Sequence, residues 1–232
     1  MKLKLFLRNP SGRGSANVGA RYLISDALRE RAAVLIKQDK ISNPRVYRVG
    51  DSVLIWVKVG SERFDKMTYD VLLYAEDGGK TDILNMDMTF FSNSPSFTFT
   101  YAFAFNNDED LAPIATVANL VSKRSITEAP VERNPQKLKG FEKSIFYAVF
   151  SLIDKGDNIV VNLDDYVIRE VTEVKHVILD FNKNGMSTAV EKLAEYNKRK
   201  QADRNSIAKQ RQAGIKKRKA KLRATRKRRT VK

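Results

Sequence analysis

The chain has 232 residues and a mass of 26.4 kDa, room for one large domain or two small ones. Hydrophobic residues at 42% and aromatics at 9% supply a core, which excludes a wholly disordered chain, while the absence of cysteine and the single histidine, His176, exclude disulfide scaffolds, thiolate chemistry and multi-histidine metal sites. Lys and Arg number 43 against 27 Asp and Glu, and the whole surplus of +16 falls in residues 198–232, where 17 bases face one acid, Asp203.

Lys2 to Leu7 alternates and predicts a strand, followed by a Pro/Gly-rich loop over Arg8 to Ser15. The apolar residues of this terminus stop too soon for a secretory signal, and no run is long enough to cross a membrane. Arg21 to Gln38 carries Leu23, Ala27, Ala33, Val34 and Ile36 at helical spacing and predicts a helix that Asn43-Pro44 breaks. Strands are expected at Ser52 to Val59, at Met67 to Ala75 and, after an Asp77-Gly78-Gly79 turn, at Asp82 to Phe91 with one slip that suggests a bulge. Ser96 to Asn106 places Phe97, Phe99, Tyr101, Phe103 and Phe105 on every second residue. That pattern predicts a buried strand at the centre of the sheet.

Ala112 to Val121 reads as a helix with Pro113 in its first turn, followed by an irregular connection with Pro130 and Pro135. Phe141 to Ile153 is a second helix, ended by Lys155-Gly156, and Ile159 to Leu163 is a short apolar run. Asp165 to Asn182 fits a helix or two β-branched strands; a cap at Asp165 and a stop at Asn184-Gly185 favour the helix. From Ser187 good helix formers run to the end with no proline and a single glycine, Gly214. The expected fold class is α+β. A body over 1–186 holds an antiparallel sheet packed by helices, and 187–232 form a basic helical or disordered tail.

The tail is the informative feature. Lys198, Arg199, Lys200, Arg204, Lys209, Arg211, Lys216, Lys217, Arg218, Lys219, Lys221, Arg223, Arg226, Lys227, Arg228 and Arg229 are the candidate nucleic-acid-binding residues. Packed so closely, these charges repel and need a polyanion, which points to phosphates ahead of an acidic protein, a solvating tail or a targeting signal. No aromatic lies beyond Tyr196, so base stacking is not the mode of binding, and no recognition-motif spacing supports sequence readout. Four scattered aliphatics make no membrane-binding face.

Acid groups such as Glu76-Asp77, Asp108-Glu109-Asp110 and Asp164-Asp165 lack calcium-loop spacing, and no nucleophile–base set can be assembled around His176. No catalytic residue, metal or cofactor is expected.

Two stretches carry a resemblance. One runs from Phe91 to Phe103 (FSNSPSFTFTYAF); the other is Glu132-Arg133-Asn134-Pro135 with Phe141 to Ala148. They resemble virion-associated proteins of tailed bacteriophages. The resemblance implies a non-enzymatic particle component, made in the host cytoplasm and located in the virion, present in multiple copies among other virion structural proteins. In that setting the tail would meet DNA. A ribosome- or RNA-associated module is the nearest alternative. A metal-dependent nucleic-acid enzyme using Asp82, Asp87 or Glu76 is the more distant one.

Overall fold

The computed structural model describes residues 26–76, 83–130, 142–153 and 163–229. The expected strand at Lys2 to Leu7, the loop after it, the Asp77-Gly78-Gly79 turn, Pro135 and most of the Ile159 to Leu163 run lie outside the described residues.

Helix α1 (Asp26–Lys37) is followed by three strands, β1 (Arg45–Val49), β2 (Ser52–Gly60) and β3 (Thr68–Ala75). The sequence reading places no element at β1. Its alternation is five residues long, and the turn that joins it to β2 is only Gly50-Asp51, with Gly50 at φ +57, the positive value that tight hairpin turns require. β2 and β3 match their expected positions within a residue. The run expected as a strand from Asp82 is instead a 3₁₀ turn at Ile83–Asn85, with β4 confined to Thr89–Ser92.

The largest departure is Ser96 to Asn106, which forms no strand. Phe97–Tyr101 is a π-helical turn that continues as α2 (Ala102–Asn107). Short helices α3 (Pro113–Val117) and α4 (Lys123–Thr127) follow, then α5 (Lys143–Ile153). Pro113 opens α3 as expected; α4 has no counterpart in the sequence reading. The ambiguous segment after Asp165 resolves into one element of each kind, strand β5 (Ile168–Val171) and helix α6 (Val174–Lys183). Glu173, not Asp165, sits at the α6 N-terminus, while Asn184 and Gly185, the latter at φ +68, end it. Helix α7 (Ala189–Arg229) completes the described chain.

Among the described residues five strands form one sheet in the order β4-β3-β2-β1-β5, with every pair antiparallel except β1–β5. The α+β class is therefore observed. The sheet is centred on β2 rather than on an aromatic strand. Val53 through Val57 are all buried, so both faces of β2 are covered. α5 lies on the face of Val57 and Val71, where the Ser92 and Ser144 hydroxyls meet at 2.7 Å. α6 lies on the other face, with the Phe181 ring edge-on to Trp56 at 5.1 Å and Tyr47 at 6.4 Å.

The aromatic segment still serves the core, but unevenly. Phe97 and Phe105 are fully buried and packed edge to face, whereas Tyr101, Phe99 and Phe103 are only half-buried. The core role expected of all five aromatics is thus concentrated in Phe97 and Phe105.

Tyr47, 1% exposed, donates its hydroxyl to Asp180. Burial and the Asp180 carboxylate push the phenol up to about 12. The folded state thus holds this proton more tightly than the unfolded chain, whose tyrosines titrate near about 10. Its contribution is intact below about pH 10 and is lost as pH rises through about 12, a share of about 2–3 kcal/mol. Tyr47→Phe is expected to remove that pH-dependent loss. Urea unfolding at about pH 9 and about pH 11 should show a smaller loss in the variant than in the parent chain.

Candidate nucleic-acid interface

The chain divides into two compact units, Met1–Lys192 and Leu193–Lys232. The first unit holds the sheet and the root of α7; the second, as far as Arg229, is the rest of that helix.

The root is built with care. Thr188 and Glu191 form a capping box: the Thr188 hydroxyl accepts the Glu191 N–H at 3.2 Å, and the Glu191 carboxylate accepts the Thr188 N–H at 2.7 Å. The Ala189 N–H donates to the Leu120 carbonyl at 3.1 Å. One residue before the box, the Ser187 carbonyl accepts Asn93 Nδ2 at 2.8 Å.

Asn93 also belongs to a buried network. Its Nδ2 donates to Asp70 Oδ2 at 2.8 Å, its Oδ1 accepts the Asp70 N–H at 2.7 Å, and the Trp56 indole N–H donates to Asp70 Oδ1 at 3.0 Å. Burial raises the Asp70 carboxyl above its ordinary value, against the pull of Lys58, Trp56 and Asn93. The sheet, through Asp70 and Asn93, therefore fixes where α7 begins.

In the second unit the helix is unbroken through Arg229. At about 1.5 Å per residue its 41 residues span about 60 Å. Apolar contact does not explain its persistence, since Ile207 and Ile215 are 44% and 54% exposed. Local pairs support its first turns. Glu195 accepts from Arg199 Nη2 at 2.8 Å and Nε at 3.0 Å, Lys200 stands 5.9 Å above the Tyr196 ring, and Gln201 donates to Asn205 at 3.1 Å. Asp203 is the only acid beyond residue 197.

Of the sequence-predicted residues, Lys198, Arg204, Lys209, Arg211, Lys216, Lys217, Arg218 and Lys219 are exposed, and Arg199 and Lys200 are half-buried. Lys221, Arg223, Arg226, Lys227, Arg228 and Arg229 continue the same helix. At about 100° per residue, Lys216 to Lys219 alone sweep about 300° of the circumference. Positive charge therefore surrounds the helix instead of lining one face. The arrangement can neutralise anions on two sides at once and offers no dedicated reading edge.

The competing sites are less developed. Glu76 and Asp87 share a recess of about 680 Å³ with Glu109 and Asp110, while Asp82 lies outside the described residues. Among the described residues no group of three or more His, Asp or Glu side chains is placed to hold a metal ion. His176 is exposed, its Nδ1 3.3 Å from the Thr172 hydroxyl. No described helix is long and apolar enough to cross a membrane. Compared with known proteins, the chain matches no protein-family model, no curated protein and no solved structure.

Proposed function

We propose that the chain is a non-enzymatic structural protein of a phage particle. Its folded unit docks among other virion proteins, in multiple copies, and its C-terminal helix binds nucleic-acid phosphates, those of DNA first, without reading sequence. The observation that carries the binding half is the continuous helix from Ala189 to Arg229 with bases on every side. Such a cylinder is about 10–12 Å across, and a duplex major groove is about 12 Å wide, so bases on opposite flanks reach both phosphate walls together. Each neutralised phosphate releases condensed counterions, which supplies affinity without base contacts. The particle setting rests on the resemblance of Phe91 to Phe103 and of Phe141 to Ala148, and on the electrically balanced composition of residues 1–197.

The test is deletion of residues 198–232 together with recovery of the native chain at low salt. The expected result is loss of salt-sensitive DNA binding on deletion, and co-purification that DNase abolishes. Equal DNA binding by the shortened chain would overturn the phosphate role. Co-purification that RNase but not DNase abolishes would replace DNA by RNA as partner and remove the particle setting.

A further inference from the structure

A second cationic feature lies within the first unit, on the face of the sheet that carries Trp56. A recess of about 330 Å³ is lined by Ser42, Asn43, Pro44, Arg45, Trp56 and Lys58. Arg45 on β1 and Trp56 on β2 are paired directly across the ladder, and Lys58 is two residues further along the same face. The Arg45 guanidinium carbon is 4.9 Å from the indole centroid and the Lys58 ammonium 5.2 Å. Two cations thus converge on one ring, and none of the described lining residues is an acid.

Both cations also have partners within the fold: Lys58 Nζ donates to the Asn184 carbonyl at 2.8 Å and pairs with Asp70, and Arg45 pairs with Asp180. Asp70 Oδ1 is 3.9 Å from Lys58 Nζ and already accepts the indole N–H at 3.0 Å. Asp180 Oδ2 is 3.8 Å from Arg45 Nη1, takes the Tyr47 hydroxyl and stands 3.3 Å from Arg169 Nη1. Both separations are too long for a hydrogen bond. Arg45 Nη1 is shielded from solvent and meets no hydrogen-bond acceptor among the described residues. The Arg45 side chain is 37% exposed, so an oxyanion in the recess would meet its accessible part and not the shielded Nη1. Ser42 Oγ accepts the Lys58 N–H at 2.9 Å, which leaves its own O–H available to donate. A guanidinium fork, an ammonium and a hydroxyl suit an anion with several oxygens on one centre.

We propose that this recess binds a phosphate group, held by Arg45, Lys58 and the Ser42 hydroxyl beside Trp56. The site is separate from the basic helix and does not depend on the role proposed for it. The phosphate could arrive free, or as part of a nucleic-acid backbone.

Trp56 is the sole tryptophan of the chain, so the emission arises wholly from the ring beside this recess. The full chain is titrated with sodium phosphate, with sodium chloride at equal ionic strength, and with a short oligonucleotide. Emission and thermal unfolding are recorded together. The expected result is a saturable, phosphate-specific change in emission and a rise in unfolding temperature. Arg45→Gln is expected to weaken phosphate binding at least about tenfold. Asn43→Asp, an exposed rim position, should weaken it while leaving the fold intact. A response to inorganic phosphate identifies free phosphate as a ligand; a response to the oligonucleotide alone identifies the backbone. Identical responses to phosphate and chloride, or unchanged binding in both variants, would overturn the proposal.

Discussion

Raising monovalent salt from about 50 to about 200 mM is expected to weaken the full chain's affinity for duplex DNA by about 10³–10⁵. The size follows from the number of phosphates neutralised. With six to ten bases of α7 engaged, the logarithm of affinity falls against the logarithm of salt with a slope of about −5 to −9. Replacing Lys216, Lys217, Arg218 and Lys219 by glutamine keeps good helix formers in place and removes four charges. The slope should then become shallower by about 3 to 4, equally on unrelated duplex sequences. Affinities measured across a salt series on two such duplexes check both statements. A variant that kept the parental slope would mean that these four bases do not meet phosphate, and a loss confined to one duplex would mean sequence readout.

The second large effect is expected at Asp70. This carboxylate is 1% exposed and accepts from the Trp56 indole and from Asn93, with the Lys58 ammonium 3.9 Å away. Asp70→Ala strands both buried donors and removes the carboxylate partner of the part-exposed Lys58 ammonium. The expected cost is about 3–5 kcal/mol, a large part of the about 5–15 kcal/mol typical of a domain. Asp70→Asn keeps the volume and one acceptor but sets an amide donor against other donors, at an expected cost of about 1–3 kcal/mol. Urea unfolding midpoints of the two variants should fall in that order below the parent. A midpoint unchanged in Asp70→Ala would remove the network from the forces that hold the sheet.

The central strands β2 and β3 and the helix α5 were legible in the sequence because each follows a single period along its length. Val53, Ile55, Val57 and Val59 alternate through β2, and Phe146, Val149 and Ile153 keep helical steps through α5. The aromatic run misled for a physical reason. Residues two apart in sequence include every pair four apart, so Phe97, Tyr101 and Phe105 make a helical stripe as well as one face of a strand.

The deciding signal lies just upstream. Ser94 precedes Pro95, and its hydroxyl accepts the Phe97 N–H at 3.0 Å, a helix-entry bond. β1 escaped because five residues carry too little pattern, and with it went Arg45 and Tyr47. The segment after Asp165 defied a single assignment because it holds two elements joined at Thr172-Glu173. The bases of α7 were readable as charge, but their setting was not. That α7 is rooted through Asn93 and Leu120 depends on contacts between residues about seventy or more positions apart.

The capping box at Thr188 and Glu191 has a consequence for how the basic segment orders. An isolated helix must first close a turn, a step disfavoured by a factor of about 10⁻³, and mutual repulsion among so many cations adds to that barrier. Here the opening turn is already closed, tied by Asn93 to Ser187 and by Leu120 to Ala189. Growth from that seed adds one backbone bond per residue, so ordering proceeds as a zipper from Ala189 toward Arg229. Truncation from the far end then shortens the rod by steps, whereas damage at Thr188 or Glu191 removes the point from which all of it propagates.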